Sequence, residues 1–272
     1  MSKFKKIFLG KGYSISSSII AAIFTIVPED CFKLIKINQH WTETINVLIV
    51  RFLVAVIIYV IVYITYIVIQ KNKKKVIVSD ENCLIQIEYG DLSAIDDGKV
   101  VINFDECFTT NVGDAPADIK PNSVCGQYLI NHPTNVQDLI DRLGIKAARV
   151  ASSYKKQRSY TPGTIVPNGN YLLMAFAKLD ENGLGCLTYD EYLNCLDYLW
   201  KQIDLYHGTD DIYMPVLGSG ILRFDKDLTQ QDLLNIMIAS YRLSPRKMKR
   251  PYKLHIVCKQ REGFSLDNIY GV

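Results

Sequence analysis

Residues 45–69 read INVLIVRFLVAVIIYVIVYITYIVI, with no polar stripe between Phe52 and Ile69, and the run stops at Lys71-Asn72-Lys73-Lys74-Lys75. At ~1.5 Å per residue, a helix of this length crosses a hydrocarbon core of about 30 Å with some tilt. A core helix of a soluble protein would be amphipathic. The run therefore predicts a membrane span followed by a globular payload of about two hundred residues.

A second apolar segment, residues 7–27, is interrupted by Lys11 and by Ser14, Ser16, Ser17 and Ser18. It reads as a retained membrane helix in preference to an interfacial helix or a signal peptide. It ends at Val27-Pro28-Glu29-Asp30 rather than at a small-x-small cleavage site. Four lysines lie in residues 1–11 and four in 71–75, whereas loop 28–44 offsets Lys33 and Lys36 with Glu29, Asp30 and Glu43. The positive-inside rule then places both ends in the cytoplasm, giving a two-helix transmembrane hairpin over residues 1–75 in the cell inner membrane. Ser14, Ser18 and Ala22, like Ser17 and Ala21, recur at helical spacing and form a small-residue face suited to self-association, though small residues also fall so by chance. Arg51 lies six residues inside the second span, where it either snorkels to the outer interface or lines a polar path.

Composition changes at the lysine cluster. Of 31 basic and 28 acidic side chains, 11 and 3 lie in residues 1–75, so residues 76–272 hold 20 and 25, a net of −5. A mildly acidic payload argues against a nucleic-acid partner, which needs a neutralising basic face. Seven cysteines, of which only Cys31 would lie outside, include no C-x-x-C pair and describe a reduced cytosolic domain with neither disulfides nor a zinc site. Continuous apolar runs at 84–88, 99–104, 164–166, 171–177, 212–217 and 254–258 predict strands covered on both faces. Helical patterns lie at 136–148, 189–206 and 228–241, and Thr229-x-x-Asp232 resembles a capping box. Strands alternating with helices predict an α/β domain of three layers.

None of the four histidines stands in a metal-binding motif, and no G-x-S-x-G elbow is present. Asp180, Asn182, Gly185 and Glu191 imitate a calcium loop, but Leu184 occupies a ligand position, so the segment reads as a strand-to-helix loop. Two other segments stand out. Ile87-Glu88-Tyr89-Gly90-Asp91-Leu92 puts a carboxylate just past a strand end. Tyr213-Met214-Pro215-Val216-Leu217-Gly218-Ser219-Gly220-Ile221 opens an apolar strand into paired glycines, which let backbone N–H groups face an anion. In α/β sheets ligands sit beyond the carboxyl ends of strands, where both segments fall.

Together and in this order, the two segments resemble a macro domain, the module that binds ADP-ribose and related nucleotides, over about residues 82–258. The resemblance implies that Asp91 accepts a hydrogen bond from the adenine amino group. It implies that Asn103, in Val100-Val101-Ile102-Asn103-Phe104, faces the distal ribose, and that Gly218-Ser219-Gly220-Ile221 wraps the diphosphate. Ser123-Val124-Cys125-Gly126-Gln127 stands at the other phosphate-side loop but lacks the several glycines common there. Leu92, Phe104 and Leu222 complete the expected ligand-binding set with Ser123, Gly126 and Gln127. The hairpin followed by a mixed-sheet macro-type domain is similar to the membrane effectors of type II Thoeris anti-phage defence. That similarity implies a nucleotide second messenger, an ADP-ribose conjugate of histidine, made by a partner TIR-domain enzyme. It also implies a non-enzymatic homo-oligomer acting on the lipid bilayer, with no cofactor or metal. The alternatives are a membrane-tethered ADP-ribosyl hydrolase using Asp105, Glu106 or Asp114, and a nucleotide-gated channel-like protein.

Overall fold

The computed structural model describes residues 2–38, 40–71, 74–80, 82–115, 117–220 and 222–269. The chain divides into two compact units, Met1–Lys73 and Lys74–Val272.

The first unit holds helices α1 (Ser2–Ile26), α2 (Asp30–Lys33) and α3 (Glu43–Lys71). Phe24, Val27, Phe32, Val47, Val50 and Val54 form its small core. The Asn46 side chain closes the α2–α3 loop by accepting from the Ile37 amide and donating to the Ile35 carbonyl. Arg51 packs against two aromatic rings of this unit. Its guanidinium lies 5.1 Å from the Phe24 ring centre and 5.6 Å from that of Phe32, a cation–π contact with each of two rings that also meet edge-on. Within α3, Glu43–Thr65 is long and apolar enough to cross a membrane, with a mean hydropathy of 2.9, and no other described helix meets that standard. Leu48, Phe52, Ile57 and Ile61 are each more than half exposed, which a soluble core helix would not tolerate. Over the first expected span the apolar stretch is only Ser14–Ile26, because Lys3, Lys5, Lys6 and Lys11 fall in the first half of α1. The Ser17 and Ser18 hydroxyls turn back onto the Ser14 carbonyl, and the small-residue face they share with Ala21 and Ala22 is exposed.

The second unit holds β1 (Lys75–Ser79), β2 (Leu84–Tyr89), β3 (Lys99–Asp105), α4 (Val124–Asn131), α5 (Val136–Arg142), β4 (Ile165–Asn168) and β5 (Tyr171–Leu179). After these come β6 (Gly185–Leu187), α6 (Tyr189–Tyr206), β7 (Ile212–Pro215), β8 (Arg223–Phe224), α7 (Gln230–Leu243) and β9 (Lys253–Cys258). The strand order is β1-β2-β9-β7-β3-β5-β6-β8, with β4 also on β5. The core β2-β9-β7-β3-β5 is parallel throughout, and β1, β4 and β6 join it antiparallel, so the sheet is mixed.

Alternation along the strands builds the layers. Ile85, Ile87, Val101, Leu172, Met174, Met214 and Ile256 face one way, into a core closed by α6 and α7. Val100, Ile102, Phe104, Leu173, Ala175 and Val257 face the other way, onto Cys125 and Tyr128 of α4 and Val136 and Ile140 of α5. With apolar residues needed on both faces, the strands read as unbroken hydrophobic runs. Capping boxes start both long helices, Thr188 with Glu191 for α6 and Thr229 with Asp232 for α7.

Several boundaries differ from the sequence reading. The helix expected over 136–148 ends at Arg142, because Gly144 at φ +64 turns the chain in a conformation that favours glycine. The strand expected to reach residue 217 stops at Pro215, where the chain turns. Asp180 caps a β5–β6 hairpin turn through bonds from the Asn182 and Leu184 amides, so the calcium-like segment is a hairpin rather than a direct strand-to-helix loop.

Leu199 of α6 is fully buried in the larger core. Leu199→Ala is expected to destabilise this unit by about 2–5 kcal/mol. Chemical denaturation followed by the fluorescence of buried Trp200 measures it, and a loss below 1 kcal/mol (about a factor of five in the folding equilibrium) would contradict this packing.

Candidate functional site

Parallel pairing brings the carboxyl ends of β2, β9, β7, β3 and β5 to one edge of the sheet, and a cleft of about 470 Å³ opens there. Gly90, Asp91 and Leu92 enter from the end of β2, and Asn103, Phe104 and Asp105 from β3. Pro215 ends β7 and Val216 and Gly218–Gly220 follow it, while Val257 lies near the end of β9 and Lys259 and Arg261 follow that strand. Phe176, Ala177 and Leu179 come from β5. Residues 117–120 and 183–185 form the remaining wall, with Ser123, Val124 and Cys125 at the start of α4.

Asp91 Oδ1 accepts the Ser93 amide at 3.1 Å, capping a short 3-10 turn, Leu92–Ala94. That backbone bond, with the Ser93 hydroxyl and Lys259 beside it, holds the Asp91 carboxyl below the usual range, so it stands ready as an acceptor. On β3, Asn103 Oδ1 is buried and has no hydrogen-bond partner among the described residues. An unsatisfied buried acceptor costs ~1–3 kcal/mol, which a donor in the cleft would recover.

Asp105 Oδ1 accepts from the Cys107 amide at 2.8 Å and the Thr109 amide at 3.2 Å. Burial pushes its carboxyl above the ordinary range against those bonds, and neighbouring Glu106 adds to the rise. Glu106 itself points elsewhere, accepting from Ser152 Oγ at 2.6 Å and the Leu179 amide at 3.1 Å. It is a buried tie for the 146–160 loop and does not line the cleft.

The loop after β7 is a tight turn in which the Ser219 amide and hydroxyl both donate to the Val216 carbonyl, at 3.3 and 2.8 Å. Gly218 has φ +81, and a Cβ there would sit 2.7 Å from Phe224 Cζ. Gly220 differs, because a Cβ there meets no atom within 4 Å among the described residues beyond its chain neighbours. A Cβ on Gly183 would lie 2.7 Å from that of Ala117 and 3.0 Å from the Tyr154 ring, so the 180–184 turn packs against Ala117.

Of the expected ligand-binding residues, Asp91, Leu92, Asn103, Phe104, Ser123, Gly218, Ser219, Gly220 and Leu222 line the cleft. Gly126 and Gln127 do not. A Cβ on Gly126 would fall 2.3 Å from the Lys120 carbonyl, so that glycine serves the packing of α4. Ser123 caps α4 by accepting the Gly126 amide at 2.9 Å. Ile221 lies outside the described residues. The sequence reading missed Lys259, Arg261, residues 117–120 and the 183–185 turn, which topology brings together from distant loops.

The family described as Thoeris protein ThsA, Macro domain, matches residues 85–259. The Thoeris protein ThsA of Bacillus amyloliquefaciens (strain Y2) is 29% identical over 185 residues, 64% of this chain and 61% of that protein. The chain thus spans about three-fifths of the length of this curated relative. Among solved structures, the Oceanobacillus iheyensis macrodomain with ADP aligns at 8% identity and a TM-score of 0.41, covering 69% of this chain and 89% of that one. The macrodomain of Thermus aquaticus DarG aligns at 10% identity and a TM-score of 0.36, covering 64% and 97%. A mixed sheet between two helical layers, with its cleft at the carboxyl edge, is here a macro domain. The chain belongs to the ThsA macro-domain family of Thoeris proteins.

The raised Asp105 carboxyl has a measurable sign. Its ionised form costs stability above the unfolded carboxylate's pKa, and the cost fades as pH falls through the higher folded value. Asp105→Asn keeps the acceptor for Cys107 and Thr109 and removes the buried charge. It is expected to raise Tm near neutral pH, by roughly 2–4 °C per kcal/mol relieved, with the gain shrinking on acidification. A gain equal at about pH 7.5 and about pH 5 would show that burial of the charge is not its cause.

Proposed function

We propose that this protein is a membrane-anchored sensor and effector of anti-phage defence whose macro domain binds an ADP-ribose-derived signal. The observation that carries the reading is Asn103, whose buried Oδ1 lacks a partner within a cleft large enough for a nucleotide. Asp91 supports it at the other wall as an ionised acceptor suited to an exocyclic amine, and the Gly218–Gly220 turn suits a diphosphate. Membership of the ThsA macro-domain family supports a Thoeris defence setting and a nucleotide-derived ligand; in this reading a TIR-domain enzyme produces the signal, a histidine–ADP-ribose conjugate. The two N-terminal apolar helices span the inner membrane with both ends cytoplasmic, and ligand-driven assembly of neighbouring copies disrupts the bilayer and aborts infection. Moving such an assembly equilibrium from 1:99 to 99:1 takes ~5.5 kcal/mol of differential binding, which several ligated subunits supply together.

A second reading rests on Asp105. It is the carboxylate of the hydrolase alternative that lines the cleft, and burial keeps its carboxyl's affinity for a proton high, as a general acid or base requires. Incubation with ADP-ribosylated substrates separates the two readings, since turnover abolished in Asp105→Asn would make the protein a hydrolase.

Calorimetry against ADP-ribose, its histidine conjugate and NAD tests the binding claim. Asp91→Ala removes one charge-assisted bond worth ~1.5–3 kcal/mol and should weaken binding about ten- to a hundredfold. Gly220→Glu adds bulk and a like charge facing open space, so the variant should fold as the parent does and bind nothing. Normal affinity in both well-folded variants would end the nucleotide-pocket reading. Deleting residues 1–75 should leave a binding domain without toxicity, and a truncated form that still depolarised cells would exclude the membrane mechanism.

A further inference from the structure

Four cations line the cleft that the family resemblance did not assign, Lys120, Arg223, Lys259 and Arg261, and the last two come from the segment after β9. Lys259 and Arg261 follow β9 and line the cleft beside the turn after β7. The Arg261 guanidinium donates to the carbonyl of Ser219, the middle residue of that turn. Its backbone is held on both sides. The Lys259 carbonyl accepts from Gln230 Nε2 at 3.1 Å, and the Arg261 carbonyl accepts the Phe264 amide at 3.2 Å. Phe264 is buried edge-on against Tyr89, with ring centres 5.8 Å apart. A long side chain on a tethered backbone loses less freedom on binding than a free one.

Charge decides what such a residue is for. Residues 76–272 carry a net of −5, so a diphosphate approaches a domain of its own sign. The glycine turn offers only the partial charges of backbone N–H groups. Of the five N–H donors of Arg261, the bond to Ser219 uses one. The remaining donors sit at the mouth of the same turn, in the planar arrangement that suits phosphate oxygens.

We propose that Arg261, with Lys259 beside it, is the cationic subsite that holds the diphosphate of the ligand against the Gly218–Gly220 turn. The proposal rests on the nucleotide reading above and adds the charge that turn lacks. Arg261 fixes the turn through Ser219 and meets the phosphates with the rest of its fork, so one residue both shapes the loop and neutralises the ligand.

The test is calorimetry of the full-length protein in detergent with ADP-ribose, at about 50 mM and about 1 M salt. Arg261→Ala is expected to weaken binding about tenfold at low salt, with a smaller ratio at high salt where charges are screened. Arg261→Lys keeps the charge but not the fork and should fall between parent and alanine variant. Unchanged affinity in Arg261→Ala overturns the proposal while leaving the nucleotide pocket intact. So does a loss that is equal at both salts and equal in both variants, because that marks a clamp on the loop alone. A parent protein that binds no ADP-ribose overturns both this proposal and the reading beneath it.

Discussion

Parallel pairing of β2, β9, β7, β3 and β5 is the constraint on which the rest of the macro domain depends. Two parallel neighbours cannot be joined by a tight turn, so the chain crosses a face of the sheet between them, and helices come to cover both faces. All five strands then end at the same edge. Segments far apart in the chain, from Gly90 to Arg261, meet there without any local signal drawing them together. The antiparallel strands β1, β4 and β6 finish the sheet outside the parallel core and leave that edge open.

What the sequence made legible follows from this arrangement. Strands buried on both faces give unbroken apolar runs, and β2, β3, β5, β7 and β9 were each visible as one. The helical pattern over 189–206 marked α6, and Thr229 with Asp232 marked the start of α7. Shorter elements were hidden for physical reasons. Helix α4 has eight residues and a glycine, Gly126, kept for close approach to Lys120, so its pattern is diluted. Strand β1 starts at Lys75, inside a lysine cluster that reads as a membrane boundary. Within the cleft, Asp91, Asn103 and Gly218–Gly220 lie on motifs, whereas Lys259, Arg261 and Gly183 take their places only through topology. No spacing rule could have found those three.

The two glycines of the loop after β7 show how one motif can hold unlike constraints. Gly218 is demanded by the protein itself, through a positive φ and the Phe224 ring against it. Gly220 has open space where a Cβ would stand, with no packing contact among the described residues beyond its chain neighbours. Freedom from packing makes residue 220 a position where ligand and stability can be varied separately. The same separation holds for the two acids after β3, since Asp105 faces the cleft while Glu106 ties loop to sheet.

The register of β1 carries a further consequence. Lys75 pairs with Glu88, and the Tyr89 amide bonds the Lys74 carbonyl at 3.1 Å, so the chain enters this domain at the end of a ladder rather than along its middle. Bonds at the end of an antiparallel ladder open one at a time, like a zipper, and the first to open belongs to Tyr89. The next residue along β2 is Gly90, where the cleft begins. Fraying of this strand end would therefore begin one peptide group away from the cleft floor, where the Gly90 amide is tied instead to the Cys258 carbonyl.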